Sequence, residues 1–341
     1  MTLKELSAQL GLSPTTVSRA LGGYPEVNEE TRKRVADAAL RFNYRPNMRA
    51  RALATGRAFS IGHVLSASNK DQLVNPIFGD FIAGVTETCA RHSYAVSLSL
   101  AAPGAEEATY RKLNSEGSVD GIVLQAPLMN DSRIALLREI GLPFVVHGRA
   151  SEVAEPYSWV DVNNTRAFQR ATDFLLDLGH RRIGLVNGDE AMDFAHRRRL
   201  GYQQALSARG LTPDQRHLSR GEMTEMNGYV AVRDMLAQPD PPTAFLMASV
   251  ISAIGARRAI HEAGQALGRD VSLIAHDDDL SYLSNRQDVP VFTALRSSVR
   301  VAGQLISEML IDQIDNPDSN EKHELLEAEL VVGTSTGPAP S

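Results

Sequence analysis

A chain of 341 residues, 43% apolar and 22% charged, is too long for one small core and too apolar for wholesale disorder, so two or three folding units are expected. Its net charge of −6 hides an asymmetry: ten basic against five acidic side chains make residues 1–57 net +5 and leave −11 on the remainder, which points to a polyanionic partner for the N-terminal part alone. The single cysteine, Cys89, excludes an intrachain disulfide and a cysteine-based zinc cluster. Residues 1–10 carry Lys4 and Glu5 in an amphipathic pattern unlike an export signal, and the most apolar stretch, 243–256, is broken by serines and shorter than the roughly 20 residues of a membrane span. A soluble, cytoplasmic protein is expected.

Leu3, Leu6 and Leu10 form one stripe of a first helix over about 2–10, and Gly11 stands where a left-handed C-terminal residue is wanted. Ser13 then suits an N-cap and Pro14 the first helical position, so a second helix starts within a few residues. In "PTTVSRAL", Val17, Ala20 and Leu21 share a face, which leaves Thr15, Thr16, Ser18 and Arg19 pointing outward. Asn28 caps a third helix, 29–42, whose first turn is acidic and whose apolar face is Val35, Ala38, Ala39 and Phe42. Two short helices joined by a glycine turn, the second bearing hydroxyls and an arginine, predict a helix-turn-helix that places its second helix in the DNA major groove. Arg19 can donate two hydrogen bonds to guanine, Thr15 can meet a base edge or a thymine methyl, and Thr16 or Ser18 can reach phosphate. Residues 46–56, "PNMRARALATG", are short, basic and glycine-ended, so a helix there is marginal by itself.

The stretch from "LKELSAQLGLSPTTVSRALGG" through "ETRKRV" and "YRPN" to "RALATG" resembles, without a gap, the DNA-binding head of the lactose-repressor (LacI/GalR) family of bacterial transcription regulators. The resemblance implies Pro14, Thr15 and Arg19 as major-groove readers, Asn47 as a phosphate contact, Asn28 as a further DNA-binding residue, and a hinge helix containing Ala50 that forms on operator DNA and wedges Leu53 into the minor groove. Such a wedge would kink a flexible base step. Gly22 stands where the family often has Asn.

Beyond residue 60, apolar runs such as "SIGHVLS", "AVSLSL", "GIVLQAP", "PFVVHG", "RIGLVNG", "TAFLMAS", "VSLIAHDD" and "ELVVG" alternate with amphipathic helices at 78–92, 165–179 and 251–264. Runs apolar on both faces indicate parallel α/β sheets. The expected fold is therefore a small all-α helix-turn-helix head plus an α/β body of two doubly wound parallel-sheet lobes, similar to periplasmic binding proteins. The expected boundaries are a head at 1–45, a hinge at 46–57 and a body at 58–341, with lobe one at about 58–158 and 292–324 and lobe two at about 159–291 and 325–341.

Ligands of open α/β sheets sit beyond the carboxyl ends of the strands. The polar residues there include His147, Arg149, Ser249 and 276–279, with Phe78, Trp159 and Phe194 as aromatic covers for a sugar ring. The family resemblance makes Arg198 in "RRRLGYQQAL" and Asp277 in "HDD" the sugar-binding pair, with Ser249 where the family often has Asn. Arg197, Arg199, Asp278 and Asp279 read as surface or loop charges. "PFVVHGR" and "FAHRRRLGY" resemble the family's regulators of α-glucoside uptake and utilisation.

"GTSTG" at 333–337 fits the serine-hydrolase elbow only by chance, since no helix can follow it. "HDDD" cannot converge on one metal, and His180 in "LGHRR" reads as a helix-ending residue that bonds the last carbonyls. The expected function is a non-enzymatic, sugar-responsive repressor without metal or cofactor. It binds a near-palindromic operator as a homodimer, because one short helix supplies too few base contacts, and no tetramerising helix follows residue 330. A different sugar or a nucleobase as effector, and a transport binding protein, are the alternatives.

Overall fold

A computed structural model describes residues 1–44, 52, 55–66, 73–285 and 288–340. The chain divides into two compact units, residues 1–59 and 60–341.

The first unit is built from α1 (Leu3–Leu10), α2 (Pro14–Leu21) and α3 (Glu29–Arg41). Thr2 and Glu5 form a reciprocal capping box on α1, and Gly11 ends it at φ 64°, a conformation that glycine adopts without strain. Ser13 caps α2 by accepting the Thr16 N–H at 3.0 Å, and Asn28 caps α3 through the Thr31 N–H at 2.7 Å. Leu6, Val17 and Val35, each fully buried, meet at the centre of the small core. Arg34 on α3 reaches back to donate to the Leu10 carbonyl at 2.7 Å, satisfying an orphan acceptor at the end of α1. The Tyr24 ring lies against Gly22, where an added Cβ would come within 2.8 Å of it.

The second unit alternates strand and helix. Its first part runs β1 (Ser60–Ser66), α4 (Pro76–Arg91), β2 (Ala95–Ala101), α5 (Glu106–Ser115), β3 (Gly121–Gln125), α6 (Ser132–Glu139), β4 (Phe144–His147) and β5 (Trp159–Val162). The chain continues through α7 (Asn164–Asp177), β6 (Ile183–Asn187), α8 (Asp193–Ala208), β7 (Leu218–Arg220), α9 (Glu225–Leu236), β8 (Ala244–Met247), α10 (Val250–Glu262), β9 (Ser272–Asp277) and β10 (Thr293–Arg296). It closes with α11 (Val299–Asp315), β11 (His323–Leu326) and β12 (Glu329–Val331).

Two six-stranded sheets result, in the orders β11-β5-β4-β3-β1-β2 and β12-β10-β9-β8-β6-β7. Pairing is parallel except between β10 and β12. Interior strands such as β6, β8 and β9 are buried at every position, as strands covered by helices on both faces must be. Each lobe has its own core, one around Tyr110, Ile134 and Leu137, the other around Phe168, Leu175 and Tyr202.

The lobe boundaries differ from the expected ones. β5 belongs to the first sheet, β10 to the second and β11 to the first, so the chain crosses after Val162, Arg296 and Leu326 rather than near 158, 292 and 324. Each displaced piece is a strand of four residues, too short to carry an alternation pattern. His180 also departs from expectation: its ring bonds Thr243 Oγ1 at 2.9 Å, Ser272 Oγ at 3.0 Å and the Gly337 carbonyl at 3.1 Å, which ties the C-terminal segment to the second lobe. The "GTSTG" segment is that tail: the Ser335 hydroxyl donates to the Leu273 carbonyl.

Helices α9 and α10 approach through two glycines. A Cβ on Gly255 would stand 1.9 Å from the Glu225 carbonyl oxygen, and one on Gly228 2.0 Å from that of Ser252. Gly255→Ala should therefore force the helices apart at a cost of about 2 kcal/mol, read as a lower urea midpoint; an unchanged midpoint would contradict the packing.

Candidate functional site: an effector cleft and a DNA-reading helix

On the head, Thr15, Ser18 and Arg19 are exposed on α2 while Val17 and Ala20 face the core. Pro14 occupies the first turn, and Thr16 turns its hydroxyl to Ser13 Oγ at 2.8 Å. Asn28 is exposed beside α3, with its Oδ1 engaged as the cap. The structure thus presents Thr15, Ser18 and Arg19 on one outward surface. Asn47, Ala50 and Leu53 lie outside the described residues.

In the body, the carboxyl ends of both sheets open on a cleft of about 620 Å³, within the size range of small-molecule sites. Lobe one contributes Phe78 from the first turn of α4, His63 from β1, Gln125 and His147 from the ends of β3 and β4, and Asp161 from β5. Lobe two contributes Asn164, Phe194 and Arg198 from α7 and α8, and His276 and Asp278 from the end of β9.

Arg198 is the most constrained of these. It is 6% exposed, and its guanidinium lies over the rings of Phe194 at 4.9 Å and Phe168 at 5.2 Å. Nε donates to Asn164 Oδ1 at 2.8 Å and Nη1 to the Ala248 carbonyl at 2.7 Å. Burial pulls its pKa down to about 10, against the opposing pull of Asp278 and Asp161, so it remains a cation at neutral pH. Burial likewise opposes the charge on Asp278, but His276 and Arg198 outweigh it and hold the carboxyl below its usual range. The pair gives the cleft a fixed donor and a fixed acceptor.

Three imidazoles complete the wall. His63 Nδ1 lies 2.9 Å from the Val123 carbonyl, so it donates there and leaves Nε2 as an acceptor. His147 stacks on Phe81 at 4.7 Å. His276 is 2% exposed, with Nδ1 3.4 Å from Asp278 Oδ1. Burial lowers the pKa of all three, that of His63 to about 4. His63 is therefore neutral in the fold at neutral pH and titrates normally once unfolded, so the protein loses stability as pH falls from about 6.5 toward 4 and gains none above. The urea midpoint should be lower at pH 5 than at pH 7.5; equal midpoints would show that the His63 ring is not buried neutral.

Four of the expected effector residues, Phe78, His147, Phe194 and Arg198, line the cleft, and four, Arg149, Trp159, Ser249 and Asp277, do not. Arg149 turns away to Asp161 (2.8 Å) and the Trp159 ring (4.8 Å). Trp159 itself stacks on His323 at the sheet edge instead of covering a ligand. Ser249 is fully buried, and its hydroxyl caps α10 by accepting the Ile251 N–H at 3.1 Å; its neighbours Ala248 and Ile251 line the cleft. Asp277 is displaced by strand parity: successive side chains face opposite sides, and since His276 and Asp278 face the cleft, Asp277 bonds the Asp279 N–H at 3.0 Å instead. The arginines expected on the surface differ too. Arg197 is 8% exposed and ion-paired, while Arg199 pairs with Glu190 at 2.6 Å. Sequence reasoning missed His63, Gln125, Asp161 and Asn164, which carry no local motif.

A helix-turn-helix head followed in the chain by a two-lobed binding-protein body defines a ligand-gated DNA-binding regulator. Residues 2–47 match the bacterial regulatory proteins of the lacI family, and residues 172–336 match a periplasmic binding protein-like domain. The chain is 46% identical over 341 residues to the HTH-type transcriptional regulator AglR of Rhizobium meliloti (strain 1021), spanning 100% of this chain and 95% of that one. It is 32% identical over 346 residues to RafR of Escherichia coli, spanning all of both. Among solved structures it is similar to a CelR–cellobiose complex (TM-score 0.72, 28% identity, 98% of this chain and 99% of that one) and to the lac repressor dimer bound to operator and the anti-inducer ONPF (TM-score 0.80, 25% identity, 99% of both). The chain belongs to the LacI family of bacterial transcriptional regulators. Among the described residues no helix is long and apolar enough to cross a membrane.

Proposed function

We propose that this protein is a cytoplasmic repressor that binds its operator as a homodimer and releases it when a neutral α-glucoside fills the cleft. The observation that carries the effector reading is Arg198: two of its nitrogens are committed to Asn164 and Ala248 and its guanidinium lies over the rings of Phe194 and Phe168. Nη2 is left to meet a ligand oxygen, with Asp278 nearby as acceptor. A charged donor and acceptor beside aromatic faces suit vicinal hydroxyls on a ring with one apolar side. The cellobiose complex of a relative supports a sugar, and the similarity to AglR supports this branch of the family.

On the DNA side, Arg19, Thr15 and Pro14 take the base edges, and Thr16, Ser18 and Asn28 the backbone. Asn47, Ala50 and Leu53 complete the contact through the hinge. Phe78, Phe194 and His147 bound the sugar, and Asp278 takes the role expected of Asp277. Calorimetric titration with maltose, trehalose, sucrose, glucose 6-phosphate and hypoxanthine tests the effector class. At least one of the three disaccharides should bind and the last two should not; the reverse order would replace the reading.

A further inference from the structure

A group of charged side chains joins the lobes beside the cleft. Asp161 presents Oδ2 to two guanidinium groups, Arg149 Nε of its own lobe at 2.8 Å and Arg197 Nη1 of the second lobe at 2.7 Å. Arg197 also pairs with Asp193, one turn back on α8. Asp193 Oδ1 accepts the Ser151 N–H of lobe one at 3.1 Å and the Ser151 hydroxyl. Arg197, Asp161 and Asp193 are 8%, 4% and 0% exposed. Two arginines against two aspartates leave no buried ion without a counter-charge, the condition for tolerating such a cluster. Backbone bonds cross at the same place: the Asp193 N–H reaches the Pro127 carbonyl at 3.2 Å, and the Met129 N–H reaches that of Ala191 at 3.3 Å. Asp161 lies one residue before the crossing that follows Val162, whereas Ser151, Asp193 and Arg197 lie away from all three crossings, so the cluster extends the link between the lobes beyond the connecting segments.

Asp161 is also part of the cleft wall, whereas Arg197 is not. Both arginines use Oδ2, and among the described residues Oδ1 accepts no hydrogen bond. We propose that Asp161 is a shared acceptor, with an effector hydroxyl on Oδ1 and Arg197 on Oδ2, so that Arg197 is the positioning residue through which a bound ligand draws the second lobe against the first. Each donor fixes the carboxylate in the orientation the other needs, and hydrogen bonds meeting at one group in a low-dielectric site reinforce each other. The ligand then shifts the lobe equilibrium by the difference in its affinity for the closed and open forms. This rests on the reading of the cleft as a site for a hydroxylated ligand.

Amide hydrogen exchange on the full-length protein, free and with saturating maltose or trehalose, tests it at Met129, Ser151 and Asp193, whose N–H groups cross between the lobes. In the wild type, sugar should slow exchange at these three amides about tenfold, a typical size for coupling between sites. Arg197→Gln should exchange faster there without sugar, lose the sugar-dependent slowing, and bind sugar more weakly; Arg197→Lys should restore part of each. Because Arg197→Gln leaves the buried Asp193 without its cation while Asp161 keeps Arg149, Ser151→Ala serves as a second variant that removes a single donor, and it should reduce the slowing at Met129 and Asp193. Sugar binding with unchanged exchange at all three amides, or equal exchange in wild type and either variant, overturns the clasp alone. Absence of binding by either sugar instead defeats the sugar reading, and the coupling with it.

Discussion

Arg198→Leu is expected to abolish the response to sugar while leaving operator binding by the sugar-free protein within about twofold of wild type. The leucine keeps contact with Phe194 and Phe168 but removes the guanidinium that helps hold Asp278 charged, along with the donors to Asn164 and Ala248. Truncating a buried charged donor to a ligand costs about 2–5 kcal/mol of binding, so calorimetric affinity should fall by at least about thirtyfold. Operator affinity survives because the head is a separate compact unit. Arg198→Lys should fall between, since an ammonium keeps the charge and loses the planar fork. Wild-type sugar affinity in Arg198→Leu would remove this residue from the site.

Arg19→Ala carries the second large effect. Arg19 is exposed on the outward face of α2, with its backbone fixed by the Ser13 cap and by Val17 and Ala20 in the core. Its deletion therefore leaves the head folded. A bidentate contact to guanine is worth about 1–3 kcal/mol of discrimination, so affinity for operator should drop about 10- to 100-fold with little change on random duplex. Equal losses on both would make Arg19 a phosphate contact, and the salt dependence would then fall by about one ion.

The head was legible because its determinants are local: caps, a glycine turn and helical periodicity sit within a few residues of what they control. The same holds for long buried strands such as β1 and β9. Strands β5, β7, β10 and β11 escaped because three or four residues at a sheet edge or crossing carry no period.

The cleft was half legible, and "RRR" shows why. Three consecutive arginines on a helix point about 100° apart: Arg197 enters the inter-lobe cluster, Arg198 the cleft, and Arg199 turns to Glu190. Their residue type is identical, so only the partners supplied by distant strands decide their roles. Asp277 and Asp278 differ likewise by strand parity, which depends on where β9 ends. His63 and Asp161, each within a strand, become cleft residues only because the two lobes face one another.

Control of the head's grip on DNA by occupancy of the body is read by fluorescence anisotropy on a labelled duplex from the regulator's own upstream region, titrated with protein at moderate ionic strength with and without the tightest-binding disaccharide. The expected result is operator preference over scrambled duplex, and a sugar-dependent weakening of about 5- to 150-fold that Arg198→Leu eliminates. Identical curves with and without the bound sugar, or no preference for the upstream duplex in either, would contradict it.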